Sequence, residues 1–182
     1  MAFLEGQLVN LRPIEREDLP TLKEWMNDRE TTRLLGGARF PPSIAEEERW
    51  YAEVLDNKEG RIFAIATKDG VLIGDVGLRH MGGRAHNGEL GIVLGNKDYW
   101  GKGYGIDAIL TLLDYAFRDM NLDCVYLGTA EHNKRAFRCY EKCGFKFEGR
   151  LRRRFFSAGR YWDMLSMSIL REEFEAQYPQ MT

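Results

Sequence analysis

Apolar positions along the chain recur with a period of either two or about 3.6 residues, and each stretch ends at a turn signal. Residues 7–11 alternate polar and apolar, which predicts an edge strand. Asp18 then stands as an N-cap, with Pro20 in the first turn and Leu19, Leu22, Trp25 and Met26 at helical spacing. Residues 31–42 hold two glycines and a Pro-Pro pair and predict a loop. Ser43 and Glu46 form a capping-box pattern ahead of a second helix reaching Leu55. Strands are predicted at 61–67 and 71–79, joined by the hairpin signal Asp69-Gly70, and a third at 87–94 extends the meander.

From Ile106 onward, Ile109, Leu110, Leu113, Ala116 and Phe117 continue one helical stripe. Residues 124–129 predict a strand, and 133–143 a helix with Gly144 at its C′ position. A long hairpin follows, 146–156 and 161–170, turning across Ser157-Ala158-Gly159-Arg160. The order is strand, two helices, three strands, helix, strand, helix, two strands. It predicts an α/β (α+β) fold, a mixed sheet of seven strands with about four helices on its faces.

With 182 residues and no repeat, low-complexity tract or Gly/Ser linker, one domain over 1–182 is expected. The composition, 44% hydrophobic and 30% charged, is that of a soluble globular chain. A net charge of −2 offers no overall attraction to nucleic acid or an anionic membrane, so electrostatic preference has to be local. The longest wholly apolar run is only residues 62–66 and the N-terminus has no basic start, so a cytoplasmic protein is expected. Cys124, Cys139 and Cys143 lack paired ligand spacing, as do His80, His86 and His132; no disulfide framework and no metal site is expected.

The informative segment is Glu89-Leu-Gly-Ile-Val-Leu-Gly-Asn-Lys-Asp-Tyr-Trp-Gly-Lys-Gly-Tyr-Gly-Ile106. A strand leads into a glycine-rich loop that opens a helix, so free backbone N–H groups and the positive helix end converge, which makes an anion site. Glycines at 101, 103 and 105 let a phosphate approach without meeting a Cβ. Gly103-x-Gly105-x-x-Ala108 also satisfies the dinucleotide fingerprint of an oxidoreductase. In that fold, however, the glycines follow the first strand of a βαβ unit at once. Here residues 95–102 intervene and a three-strand meander precedes them, so the dinucleotide reading is disfavoured.

The loop and a second element together resemble the GNAT superfamily of acetyl-CoA-dependent N-acetyltransferases. Trp100-x-x-Gly103-x-Gly105 matches its pyrophosphate motif except at the first position, where the family has Gln or Arg. Asn133-Lys-Arg-Ala136-Phe-Arg-Cys-Tyr140-Glu-Lys-Cys-Gly144-Phe145 fits Asn-x-x-Ala-x-x-x-Tyr-x-x-x-Gly-Phe without a departure. The resemblance runs from Leu11-Arg12-Pro13 to about Glu173 and is nearest the branch of ribosomal-protein N-terminal and spermidine acetyltransferases. It implies a mostly antiparallel sheet and acetyl transfer from acetyl-CoA to a primary amine, be it a polyamine, a peptide N-terminus or another small amine, in a ternary complex.

The resemblance also implies site roles. Trp100, Gly101, Lys102, Gly103, Tyr104, Gly105 and Ile106, with Asn133, Arg135 and Ala136, would hold the coenzyme, and Ile92, Val93 and Leu94 would pair with its pantetheine arm. Val93 and Leu94 would offer backbone N–H to the carbonyl oxygen. Glu89 is the candidate base, since alkyl amines are mostly protonated at neutral pH; it reads equally as a solvent-facing strand residue. Tyr140 is the candidate acid for the departing thiolate, or else a core aromatic. Lys102, Lys134 and Arg135 offer charge to phosphates or simply face water. Arg150, Arg152, Arg153 and Arg154 suit an acidic acceptor, whereas Glu46, Glu47, Glu48, Glu53, Asp56 and Glu59 suit a polyamine; both clusters read also as solvated faces. The acceptor groove is expected between residues 31–42 and 157–160. A homodimer is expected from the edge the last hairpin exposes. A coenzyme sensor without turnover stands as the second class.

Overall fold

The computed structural model describes residues 3–35, 40–81 and 83–179. Eight strands form one sheet: β1 (Leu4–Glu5), β2 (Val9–Pro13), β3 (Arg61–Thr67), β4 (Leu72–Arg79), β5 (Asn87–Leu94), β6 (Cys124–Ala130), β7 (Lys146–Ser157) and β8 (Arg160–Leu170). Their order across the sheet is β1-β2-β3-β4-β5-β6-β8-β7. Every neighbouring pair is antiparallel except β5 and β6. The helices are α1 (Leu19–Asn27), α2 (Arg29–Leu34), α3 (Ile44–Asp56), α4 (Tyr104–Arg118), α5 (Lys134–Lys142) and α6 (Arg171–Gln177).

Two faces of the sheet carry two apolar clusters. The larger gathers Val9, Leu11, Phe63, Ile65, Val76, Leu78 and Leu90 from the strands against Ile109, Leu112, Leu113, Ala116 and Phe117 of α4, Tyr140 of α5 and Phe174 of α6. The smaller joins Ala64 of β3 to Leu19 and Leu22 of α1, with Trp25, Trp50 and Tyr51 packed on it. Alternation along the strands produces this division: odd residues of β3 serve one face and even residues the other. Opposed residues share a face, so Ala64↔Asp75↔Val93 and Ile62↔Gly77↔Gly91 lie on the α1 side, as does Glu89 opposite Arg79.

The sheet has one strand more than the predicted seven and two helices more than four. β1 is two residues long, too short to show a period, and it covers β2, so residues 7–11 do not form an edge strand. The loop expected at 31–42 begins inside α2, which depends on a cap and not on apolar spacing. The Asp28 carboxylate accepts from the Glu30 and Thr31 amides and from the Thr31 hydroxyl. Residues 36–39 of that expected loop lie outside the described residues. α6 follows β8 with no intervening loop, and Glu173 accepts the Leu170 amide at 3.0 Å to start it.

Candidate active site

β5 pairs with β6 only from Asn87↔Cys124 to Glu89↔Tyr126, whereas its pairing with β4 runs on to Gly74↔Leu94. Beyond Glu89 the two parallel strands therefore part. Into that parting opens a cleft of about 900 Å³, lined from one face by Leu90, Ile92, Leu94 and Ile109 and from the other by Asp75, Glu89, Gly91 and Val93. A passage through the sheet results, with a mouth on each face.

The glycine loop forms the first mouth. Gly101 and Gly103 hold φ of +72° and +93°, conformations that an L side chain resists, and Gly103 is the N-cap of α4. No side chain caps that helix, and the first intrahelical amide, that of Asp107, reaches back to Gly103 O at 3.0 Å. The amides before it point into an uncapped helix end of positive potential. Gly101, Gly103, Gly105 and Ile106 line the cleft beside Trp100, and Arg135, Ala136, Arg138, Cys139, Tyr140 and Lys142 of α5 face them. Free amides, glycines and cations around one concavity suit a pyrophosphate. Lys102 and Tyr104 do not line this space; Lys102 is exposed, and Tyr104 makes an edge contact with Tyr99 at 5.0 Å.

Asn133 opens α5 by accepting from the Ala136 amide at 3.1 Å, and its amide group donates to Leu34 O at 2.9 Å. His132 Nε2 donates to Arg33 O at 2.9 Å. These bonds tie the end of α2 to the turn before α5 across the cleft. Tyr140 is buried in the wall with Phe145 at 5.9 Å, and burial pushes its phenol well above the ordinary value, with Cys139 and Cys143 adding to the rise. Tyr140 is thus neutral through the physiological range. Cys143 is fully buried and Cys139 lines the cleft; both are free thiols.

The second mouth is anionic and aromatic. Trp25, Phe40, Trp50, Glu46, Glu47, Asp75 and Glu89 line it, with Arg79 the cation among them. Glu89 Oε2 stands 3.5 Å from His80 Nε2. Of the predicted acidic cluster, Glu46 and Glu47 enter the wall, while Glu48 pairs with Arg16 at 3.6 Å and Glu53, Asp56 and Glu59 stay outside. Of the expected acceptor groove, Thr31, Leu34, Leu35, Phe40 and Pro42 take part and residues 157–160 do not. Arg150 is bound by Glu131 at 2.6 Å and Asp163 at 3.0 Å, away from the cleft. Trp50, Asp75 and Arg79 have no place among the site residues expected from the sequence, where Trp25 stands only as an apolar position of the first helix. A signal existed for two of them: polar residues at 75 and 79 alternate with buried Val76 and Leu78 on a central strand.

Fold and site define an acyltransferase, and the family is shown directly: residues 9–146 match the acetyltransferase (GNAT) domain, so the chain belongs to the GNAT acetyltransferases. It is an acetyl-CoA-dependent N-acetyltransferase. The spermidine N(1)-acetyltransferase of Vibrio cholerae is 32% identical over 91% of this chain and 95% of that protein. The Escherichia coli spermidine N(1)-acetyltransferase is 29% identical over 93% of this chain and 90% of its own length. The crystal structure of the Vibrio cholerae spermidine N-acetyltransferase in complex with CoA and spermine superposes with a TM-score of 0.86 at 31% identity, covering 93% of this chain and 99% of that one. The dinucleotide-binding alternative is set aside, because the glycine loop follows the antiparallel meander β3-β4-β5. Among the described residues no helix is long and apolar enough to cross a membrane, and no group of three His, Cys, Asp or Glu is placed to hold a metal ion.

Proposed function

We propose that the protein acetylates a primary amine of a polyamine. The observation that carries this reading is the second mouth, where Glu46, Glu47, Asp75 and Glu89 line the same cleft as Trp25 and Trp50. A polyamine alternates charged nitrogens with methylene runs, and such a wall meets both, through charge-assisted bonds and through cation–π and apolar contact. The relatives that act on spermidine agree with it.

Bound acetyl-CoA supplies an electrophilic thioester carbonyl and a thiolate leaving group. Glu89 accepts the proton that the ammonium must lose before its nitrogen attacks, and the backbone N–H of Leu94, on the side of the parting from β6, stabilises developing negative charge on oxygen; the Val93 N–H faces β4 and is taken up in that ladder, so it does not share this role. Tyr140 returns a proton to sulfur: a phenol held neutral by burial donates to a thiolate at neutral pH. The chain works in the cytoplasm as a homodimer, in keeping with the exposed Phe147, Leu151, Phe156 and Tyr161 on the last hairpin.

The test is thiol release from acetyl-CoA with spermidine, spermine, an aminoglycoside and a peptide N-terminus as acceptors. Spermidine or spermine is expected to give the highest kcat/KM, and Glu46→Gln to raise the KM for polyamine without changing that for acetyl-CoA. Preference for the aminoglycoside or the peptide would overturn the reading.

A further inference from the structure

Position 100, where the resembled motif has Gln or Arg, carries an indole that makes two contacts. Its Nε1–H donates to Leu94 O at 2.7 Å, fastening the loop to the end of β5. Its face carries the Arg135 guanidinium, whose central carbon lies 3.7 Å from the ring centroid. A second cation, Lys97, lies 5.8 Å from the same ring, but Asp28 and Glu30 hold it, each at 2.7 Å. Among the described residues no carboxylate is paired with Arg135. Glu30 is the carboxylate whose charge reaches it, and Glu30 is bonded to Lys97. Burial lowers the Arg135 pKa from the ordinary guanidinium value, the expected mark of a cation stripped of part of its water.

A guanidinium laid on an indole beside an uncapped helix N-terminus is a poor arrangement for stability alone, because both present positive potential to one cleft. The pair becomes favourable once an anion stands between them. We infer that Trp100 and Arg135 form one device: Arg135 contacts a coenzyme phosphate, and Trp100 is the positioning residue that holds the guanidinium in place before the coenzyme arrives. An arginine fork fixed on an aromatic face loses less freedom on binding than one waving in water, so the indole contributes affinity without touching the phosphate. The substitution at the first motif position is thereby accounted for, since the charge enters from α5 instead of from the loop.

Calorimetric titration with CoA and with 3′-dephospho-CoA tests this without turnover. Arg135→Gln is expected to weaken CoA binding about tenfold, the scale of a lost charge-assisted bond. Trp100→Leu, which removes platform and N–H together, should lose about threefold or more, and Trp100→Phe, which keeps an aromatic face, should lose less. The double variant Trp100→Leu/Arg135→Gln should lose less than the product of the two single losses, because the indole face acts through the cation while its N–H acts on the loop. If the losses persist with 3′-dephospho-CoA the pyrophosphate is the partner; if they vanish, the 3′-phosphate is. Unaltered CoA affinity in Arg135→Gln, or losses that simply add in the double variant, would overturn the inference. Should Trp100→Leu fail to fold by circular dichroism, Trp100→Phe and Arg135→Gln still decide it.

Discussion

Tyr140 is a residue whose surroundings prescribe what it can do. Burial first, then the two neighbouring cysteines, hold its phenol above the usual tyrosine value. The folded-state pKa is raised, so the contribution is fully present below the unfolded pKa of about 10 and is lost as pH climbs past it. Thermal unfolding followed between pH 7 and 11 should show stability declining from about pH 10 upward, and the decline should be shallower in Tyr140→Phe. The same substitution keeps the ring but removes the proton. The expected result is a kcat lower by about 10²-fold with little change in acetyl-CoA affinity. Wild-type turnover by a folded Tyr140→Phe would remove the acid role. Gly103, at φ +93°, is constrained by backbone and not by crowding, since a Cβ there would meet nothing nearer than Leu8 Cδ1 at 3.5 Å. Gly103→Val is expected to weaken coenzyme binding at least tenfold and also to cost about 1–2 kcal/mol of stability through the left-handed φ; equilibrium binding and urea unfolding measure the two separately.

At the scale of elements, one carboxylate fastens the turn between β1 and β2 to α4. Asp107 accepts the amides of Gln7, Leu8 and Val9 at 3.0, 2.7 and 2.9 Å. Asp107→Ala leaves the buried Val9 amide without its acceptor, while water can reach those of Gln7 and Leu8, and it is expected to cost about 1–2 kcal/mol in chemical unfolding, against about 0.5 for an ordinary surface change. Elements built on periodicity were the legible ones. β3, β5 and the stripe of α4 stand where the sequence placed them: one buried face imposes its period on α4, and β3 is a short apolar run, buried on both faces, that ends at a turn signal. α2 escaped because three hydrogen bonds to Asp28 sustain a turn whose residues Arg29-Glu30-Thr31-Thr32-Arg33 carry no stripe. β7 reads as uninterrupted in sequence, yet its register shifts between Leu151 and Phe155, where Arg153 takes φ +54°. No residue type there announces a bulge. The glycine loop at the start of α4 was legible because glycine spacing is local, whereas the acidic and aromatic wall of the cleft comes from α1, α3 and β4 and exists only once they meet.

Across the whole molecule the charges lining the cleft are sorted by face. Arg135, Arg138 and Lys142 stand on the side of the glycine loop, and Glu46, Glu47, Asp75 and Glu89 on the other with Arg79 the one cation among them, within a chain whose net charge is only −2. The parting of β5 from β6 keeps the two groups apart and connects them through the sheet. Its kinetic consequence concerns queueing: with an entrance on each face, neither reactant has to wait for the other to be admitted or to depart. Initial-velocity lines should intersect, and a non-reacting polyamine analogue should be a noncompetitive inhibitor against acetyl-CoA. Uncompetitive inhibition would instead mean that the coenzyme must enter first, and that one doorway stays shut until the other is filled.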